Sequence, residues 1–205
     1  VVTGVQTCAL PICHIYISVC QTGTNIAKIL KIFTRKPYNH VSVFSDPTHG
    51  EMYSFCRNKP SRPLPATFNK EIVGKGTLGK FSFIPCEIYK LDVTEEQKEC
   101  FEKNLEFFKN NRDCFSYNCI GLGLIFLHIA FKRKNKFVCS QFVGHIMEKS
   151  GINLDIPKPV CLHTPEDFRH IKSAQLIYKG DLNKFHISEE YNSVNFMENQ
   201  SVRTA

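Results

Sequence analysis

Between Lys136 and Lys149 the chain writes one amphipathic helix, and the rest of the fold has to cover its apolar stripe. Val138, Phe142 and Ile146 recur every four residues, and Gly151 supplies a C-terminal stop. A basic, loop-like run, residues 132–136, precedes it. Cys139 falls in the first turn, where unpaired backbone N–H groups and the helix dipole favour a thiolate over a thiol. A cysteine nucleophile needs that position and also a base. The candidate lies roughly a hundred residues upstream, His40 in Tyr38-Asn39-His40-Val41-Ser42-Val43-Phe44. An ordinary buried cysteine accounts for the spacing of Cys139 equally well.

The upstream chain reads mostly as strand. Residues 2–12 resemble the translation of a common short-read sequencing adapter, so residues 1–13 are set aside as non-native and the true start is expected to be missing. His14 to Val19 alternates as a strand, and residues 25–33 place Ile26, Ile29, Leu30 and Phe33 on one helical face. Tyr38–Phe44 and Met52–Cys56 read as a hairpin around a turn at 45–51. Residues 57–80, rich in Pro, Gly, Lys and Arg, read as a long surface loop, a mobile flap. Residues 81–92 are strand material. Thr94 and Gln97 form a capping box for a helix that carries Phe101, Leu105 and Phe108 on one face.

Residues 115–131 are the most apolar stretch. The run is short and contains Asn118, Gly121, Gly123 and His128, so a buried or partly exposed helix is favoured over a membrane span. Contact with a membrane surface, helped by the basic run, is the lesser reading. Pro165 opens a short capped helix, Leu176–Gly180 a last strand, and residues 188–205 a polar tail after a single domain over 14–187.

Composition limits the function classes. Ten cysteines, two of them in the adapter-like segment, show no CxxC pair, which argues against a disulfide scaffold or structural zinc and for a reducing, cytoplasmic setting. The +7 net charge is dispersed apart from residues 132–136 and no nucleic-acid motif accompanies it, so no nucleic-acid partner is expected. Seventeen Phe and no Trp predict a Phe-rich core. Five further histidines, His49, His128, His145, His163 and His170, sit in turns, on apolar helices or beside a cap and read as structural.

Taken together, the strand with Tyr-Asn-His40-Val-Ser, the returning strand with Tyr53-Ser54-Phe55, the Phe-Val-Cys139-Ser-Gln-Phe-Val helix and Thr164-Pro-Glu-Asp-Phe resemble the circularly permuted, papain-like NlpC superfamily, in particular its YiiX-like bacterial branch. The histidine precedes the cysteine, as in the permuted branch. The resemblance implies an α+β fold, a small antiparallel sheet packed against helices. It implies Cys139 as nucleophile, His40 as base, no cofactor or metal, and hydrolysis or transfer at an amide or ester carbonyl. Substrates would be a peptide, an amino-acid amide or a lipid-linked acyl group; a non-catalytic module using the same cleft is the alternative. Pairing the hairpin about Thr48 sets Ser42 opposite Ser54, which puts Ser54 in the place of the third residue that orients the imidazole. Glu51 and Asp46 are further candidates, and Tyr117 is a candidate for the cleft wall.

Overall fold

The computed structural model describes residues 13–23, 36–48, 50–59 and 64–185. The fold is α+β. Six antiparallel strands form one sheet in the order β4-β3-β2-β1-β5-β8, built from β1 (Cys13–Cys20), β2 (His40–Phe44), β3 (Glu51–Arg57), β4 (Ala66–Ile72), β5 (Pro85–Val93) and β8 (Ala174–Asp181). Among the described residues three α-helices accompany it: α1 (Glu95–Asn110), α2 (Cys119–Phe126) and α3 (Cys139–Lys149). A short parallel pair, β6 (Ser116–Tyr117) and β7 (Lys136–Phe137), ties the segment before α2 to the segment before α3.

Alternation along the strands divides the core in two. Ile15, Ile17, Val19, Val41, Val43 and Phe55 pack with Phe101, Leu105, Phe142, Val143 and Ile146 of α1 and α3. Tyr16, Cys20, Phe44, Met52 and Ile88 form a second cluster with Leu182 and Phe185. The first cluster is Phe-rich as expected: the Phe108 ring lies 4.5 Å from Phe115 and 5.0 Å from Phe142, and Phe55 lies 5.4 Å from Phe142. The stripe that defines α3 in the sequence is fully buried, with Phe142 and Ile146 at 0% exposure. The Thr94 cap is formed as read, with Gln97 N–H donating to Thr94 Oγ1 and Thr94 N–H to Gln97 Oε1.

Several expectations need correction. Residues 57–80 are not one loop: β4 occupies 66–72 and pairs with β3 over its whole length, and Leu78–Lys80 form a 3-10 turn. The flanking Pro, Gly and basic residues hide a strand with one polar face, Thr67, Asn69 and Glu71, while Phe68 on the other face packs into the main core. Cys13, set aside with the adapter-like segment, is the first residue of β1 and pairs with Val93. Strand structure begins at Pro85 rather than at Phe81, which instead caps the 3-10 turn. The helix in the apolar run 115–131 is only eight residues long, and strand β6 precedes it. The capped helix at Pro165 is a 3-10 helix, Pro165–His170. The expected helix at 25–33, residues 1–12 and the tail from 188 lie outside the described residues. Among the described residues no helix is long and apolar enough to cross a membrane.

Candidate active site

Cys139 is the first residue of α3, and the sequence around it fixes the helix head. Gln141 Oε1 accepts from the backbone N–H of Val138 at 3.2 Å and from Asn118 Nδ2 at 3.0 Å. Gln141 Nε2 donates to the Cys161 carbonyl at 2.8 Å, and Ser140 Oγ donates to the His163 carbonyl at 2.6 Å. Cys-Ser-Gln is thus a lock in which the two residues after the cysteine clamp the helix start to the neighbouring loops. Asn118 also caps α2 by accepting from Gly121 N–H at 2.9 Å.

His40 is the first residue of β2 and pairs with Cys20. Its parity places it with Ser42 on the Tyr16 and Cys20 face, opposite the layer in which Val41 and Val43 pack on α3. Cys139 nevertheless bears on the imidazole and raises its pKa, because each residue stands at the start of its element and β2 packs against α3. The 98 residues between them in sequence are bridged by the fold.

The third member is Glu71, on the segment read as a flap. His40 Nε2 donates to Glu71 Oε2 at 2.8 Å. The same oxygen accepts from Ser42 Oγ at 2.6 Å and from Ser54 Oγ at 2.6 Å. With Nε2 committed to the carboxylate, Nδ1 is the nitrogen left for Cys139. Ser54 therefore does not orient His40 directly, as the hairpin register implied; it holds the carboxylate that does. The register itself is as expected: the Val43–Tyr53 pairing, extended one step, sets Ser42 across from Ser54. Glu51 pairs with Lys70 at 2.8 Å, and Asp46 accepts from Thr48 N–H at 2.8 Å in its own turn, so neither reaches the imidazole.

The electrostatics follow from burial and from this carboxylate. Burial disfavours the imidazolium, but the Glu71 charge, the Glu71 hydrogen bond and the influence of Cys139 outweigh it and raise the His40 pKa well above 6.5. Burial likewise opposes the Glu71 anion, yet the His40 charge and the hydrogen bonds from His40, Ser42 and Ser54 lower it to about 2. Two neighbouring thiols behave differently. Burial first, and then the Glu71 charge, raise Cys20 and Cys56 well above 9.0, so both stay protonated.

Cys139 opens onto a cleft of about 580 Å³. One wall is apolar, with Leu122, Ile125 and Phe126 of α2 beside Val138. The other carries Lys158 and Asp167, 2.7 Å apart, and Glu166. Tyr117 lines the cleft as anticipated; burial, and after it the charge of Cys139, push its phenol above the ordinary range, so it is a neutral hydroxyl donor. His163, read as structural, is buried beside Phe168, and its Nε2 lies 3.1 Å from the Lys158 carbonyl. Among the described residues no group of three His, Cys, Asp or Glu could hold a metal ion, and the cysteines are free. Comparison with family models, with curated proteins and with solved structures returns no match.

Proposed function

We propose that the chain is a thiol hydrolase of the permuted, papain-like NlpC type, acting on an amide or ester carbonyl through Cys139, His40 and Glu71. The observation that supports this reading is the buried His40–Glu71 pair, 2.8 Å apart, beside Cys139, whose influence raises the His40 pKa and which opens onto the cleft. A buried carboxylate on one imidazole nitrogen fixes the ring and stabilises the cation formed when the other nitrogen takes the thiol proton. The sulfur then attacks the carbonyl carbon. The backbone N–H of Cys139, unpaired at a helix start, and the Tyr117 hydroxyl are the donors available to the oxyanion. Collapse of the tetrahedral adduct breaks the bond to the leaving group, which takes its proton from His40. Water, deprotonated by His40, then cleaves the acyl-enzyme and regenerates the thiol; another nucleophile in its place gives transfer.

The apolar wall beside Cys139 favours an apolar group next to the scissile carbonyl, whether the side chain of a peptide or amino-acid amide or a lipid-linked acyl chain. No cofactor enters these steps. Free thiols suit a cytoplasmic location. The test is turnover of a panel of peptide, amino-acid amide and acyl-ester substrates, with the acyl adduct on Cys139 read by mass spectrometry. Cys139→Ala and His40→Ala are expected to abolish both turnover and adduct. Turnover that survives Cys139→Ala would falsify the assignment, and ligand binding without turnover by any substrate would favour the non-catalytic module.

A further inference from the structure

The end of α2 and the segment that follows it expose apolar side chains in a way the core does not explain. Of the nine large hydrophobic residues exposed among the described residues, five are Ile120, Phe126, Leu127, Ile129 and Phe131, within twelve positions. Leu127 is the most exposed of the nine, at 67%. The helix stops at Phe126, His128 and Asn135 turn the chain with φ of 55° and 56°, and most of the side chains between them are exposed rather than packed in the core. Scattered exposed hydrophobics are ordinary; a contiguous run of them marks a contact surface.

The charge beside this run identifies the contact. Lys132, Arg133, Lys134 and Lys136 follow directly, and the chain from Cys114 to Met147 contains no carboxylate at all. A single-sign cationic flank on an apolar tip complements a surface that is apolar in depth and anionic on top. We infer that residues 126–134 seat the protein on an anionic phospholipid bilayer, the apolar side chains entering the acyl region and the basic run meeting the headgroups. Phe126 is shared between this surface and the wall of the Cys139 cleft, so docking brings the mouth of the cleft to the lipid. The inference does not depend on catalysis.

The chain contains no tryptophan, so Leu127→Trp creates a sole reporter. Its emission is expected to shift to the blue on adding phosphatidylcholine vesicles that contain phosphatidylserine, and far less with phosphatidylcholine alone. Lys132→Gln with Lys134→Gln should weaken partitioning about 30-fold, the equivalent of about 2 kcal/mol for two charges near such a surface. Leu127→Ser with Phe131→Ser should abolish cosedimentation with unchanged circular dichroism, and Cys139→Ala should bind as the parent does. Emission unmoved by anionic vesicles, or equal binding to neutral and anionic vesicles, overturns the inference. So does a blue shift that grows with protein concentration in the absence of lipid, which would assign the surface to a second copy of the chain. Loss of turnover with vesicle binding retained would count against the hydrolase reading alone.

Discussion

Replacing Glu71 by Gln keeps the shape of the side chain and removes the charge that holds His40. The carboxyl stands at about 2 against an ordinary 4.5, and at 1.36 kcal/mol per pH unit that difference corresponds to about 3 kcal/mol at neutral pH. The group is almost fully buried, so solvent screening discounts this little. The two partners titrate with opposite signs. Glu71, lowered in the fold, contributes stability above its unfolded value near 4.5 and loses it as pH falls through about 2. His40, raised in the fold, contributes fully below 6.5 and loses its share as pH rises through its elevated folded value. Wild-type stability from this pair therefore peaks between those unfolded values, and in Glu71→Gln both limbs flatten. Denaturant unfolding across pH should show a loss of about 3 kcal/mol at the peak. In the same variant burial acts on His40 with only Cys139 left to oppose it, which lowers its pKa relative to wild type, so the alkaline limb of turnover moves to lower pH. The rate falls on the order of 10²–10⁴-fold, as when an imidazole loses its orienting acid. Peptide-resolved alkylation keeps the signal of Cys139 apart from those of exposed Cys114 and Cys119. Stability within about 0.5 kcal/mol of wild type together with an unchanged pH profile would refute the relay.

Smaller effects follow from the same geometry. Ser54→Ala removes one of three donors to Glu71 and should cost about 1.5–3 kcal/mol, with a rate loss well below that of Glu71→Gln; an equal loss would return Ser54 to a direct role. Phe142→Ala empties a fully buried site between Phe55, Phe68 and Phe108 and should cost about 3–5 kcal/mol in urea unfolding. Thr94→Ala breaks the capping box of α1 and should cost about 1 kcal/mol, with turnover intact.

The helix of Cys139, the hairpin of His40 and the Thr94 cap are legible in sequence because each is written in local periodicity or local hydrogen bonding. Glu71 is not legible for the opposite reason. It sits on the polar face of a strand with a single large apolar residue, Phe68, flanked by Pro, Gly and lysine, so neither alternation of hydrophobicity nor composition marks it. Its partner His40 is 31 positions away, and only β3 between them makes the contact possible. Within Thr67-Phe68-Asn69-Lys70-Glu71 only Phe68 is apolar, too little for a period-two pattern to show. Ser54 illustrates the converse: its register was readable, but its partner was not, since the hydroxyl turns to a carboxylate on the next strand.

The packing behind the nucleophile can be tested without touching the relay. Gly144 lies on α3, one turn beyond Cys139, facing His163. A Cβ at that position would stand 2.5 Å from His163 Nδ1 and 3.1 Å from Val160 Cγ1. The imidazole cannot swing away cheaply: it is 4% exposed, lies against Phe168, and is tethered through Nε2 to the Lys158 carbonyl at 3.1 Å. The His163 backbone in turn receives the Ser140 hydroxyl at 2.6 Å. Strain introduced at Gly144 therefore passes to the residue next to the nucleophile. Gly144→Ala should cost about 1–3 kcal/mol by overpacking and lower turnover, while His163→Ala in the same chain should relieve the clash and restore part of both. If Gly144→Ala is neutral in stability and turnover, the contact is softer than its geometry implies. If His163→Ala adds its own loss without rescue, the strain does not run through the imidazole, and the head of α3 is held by Gln141 and Ser140 alone.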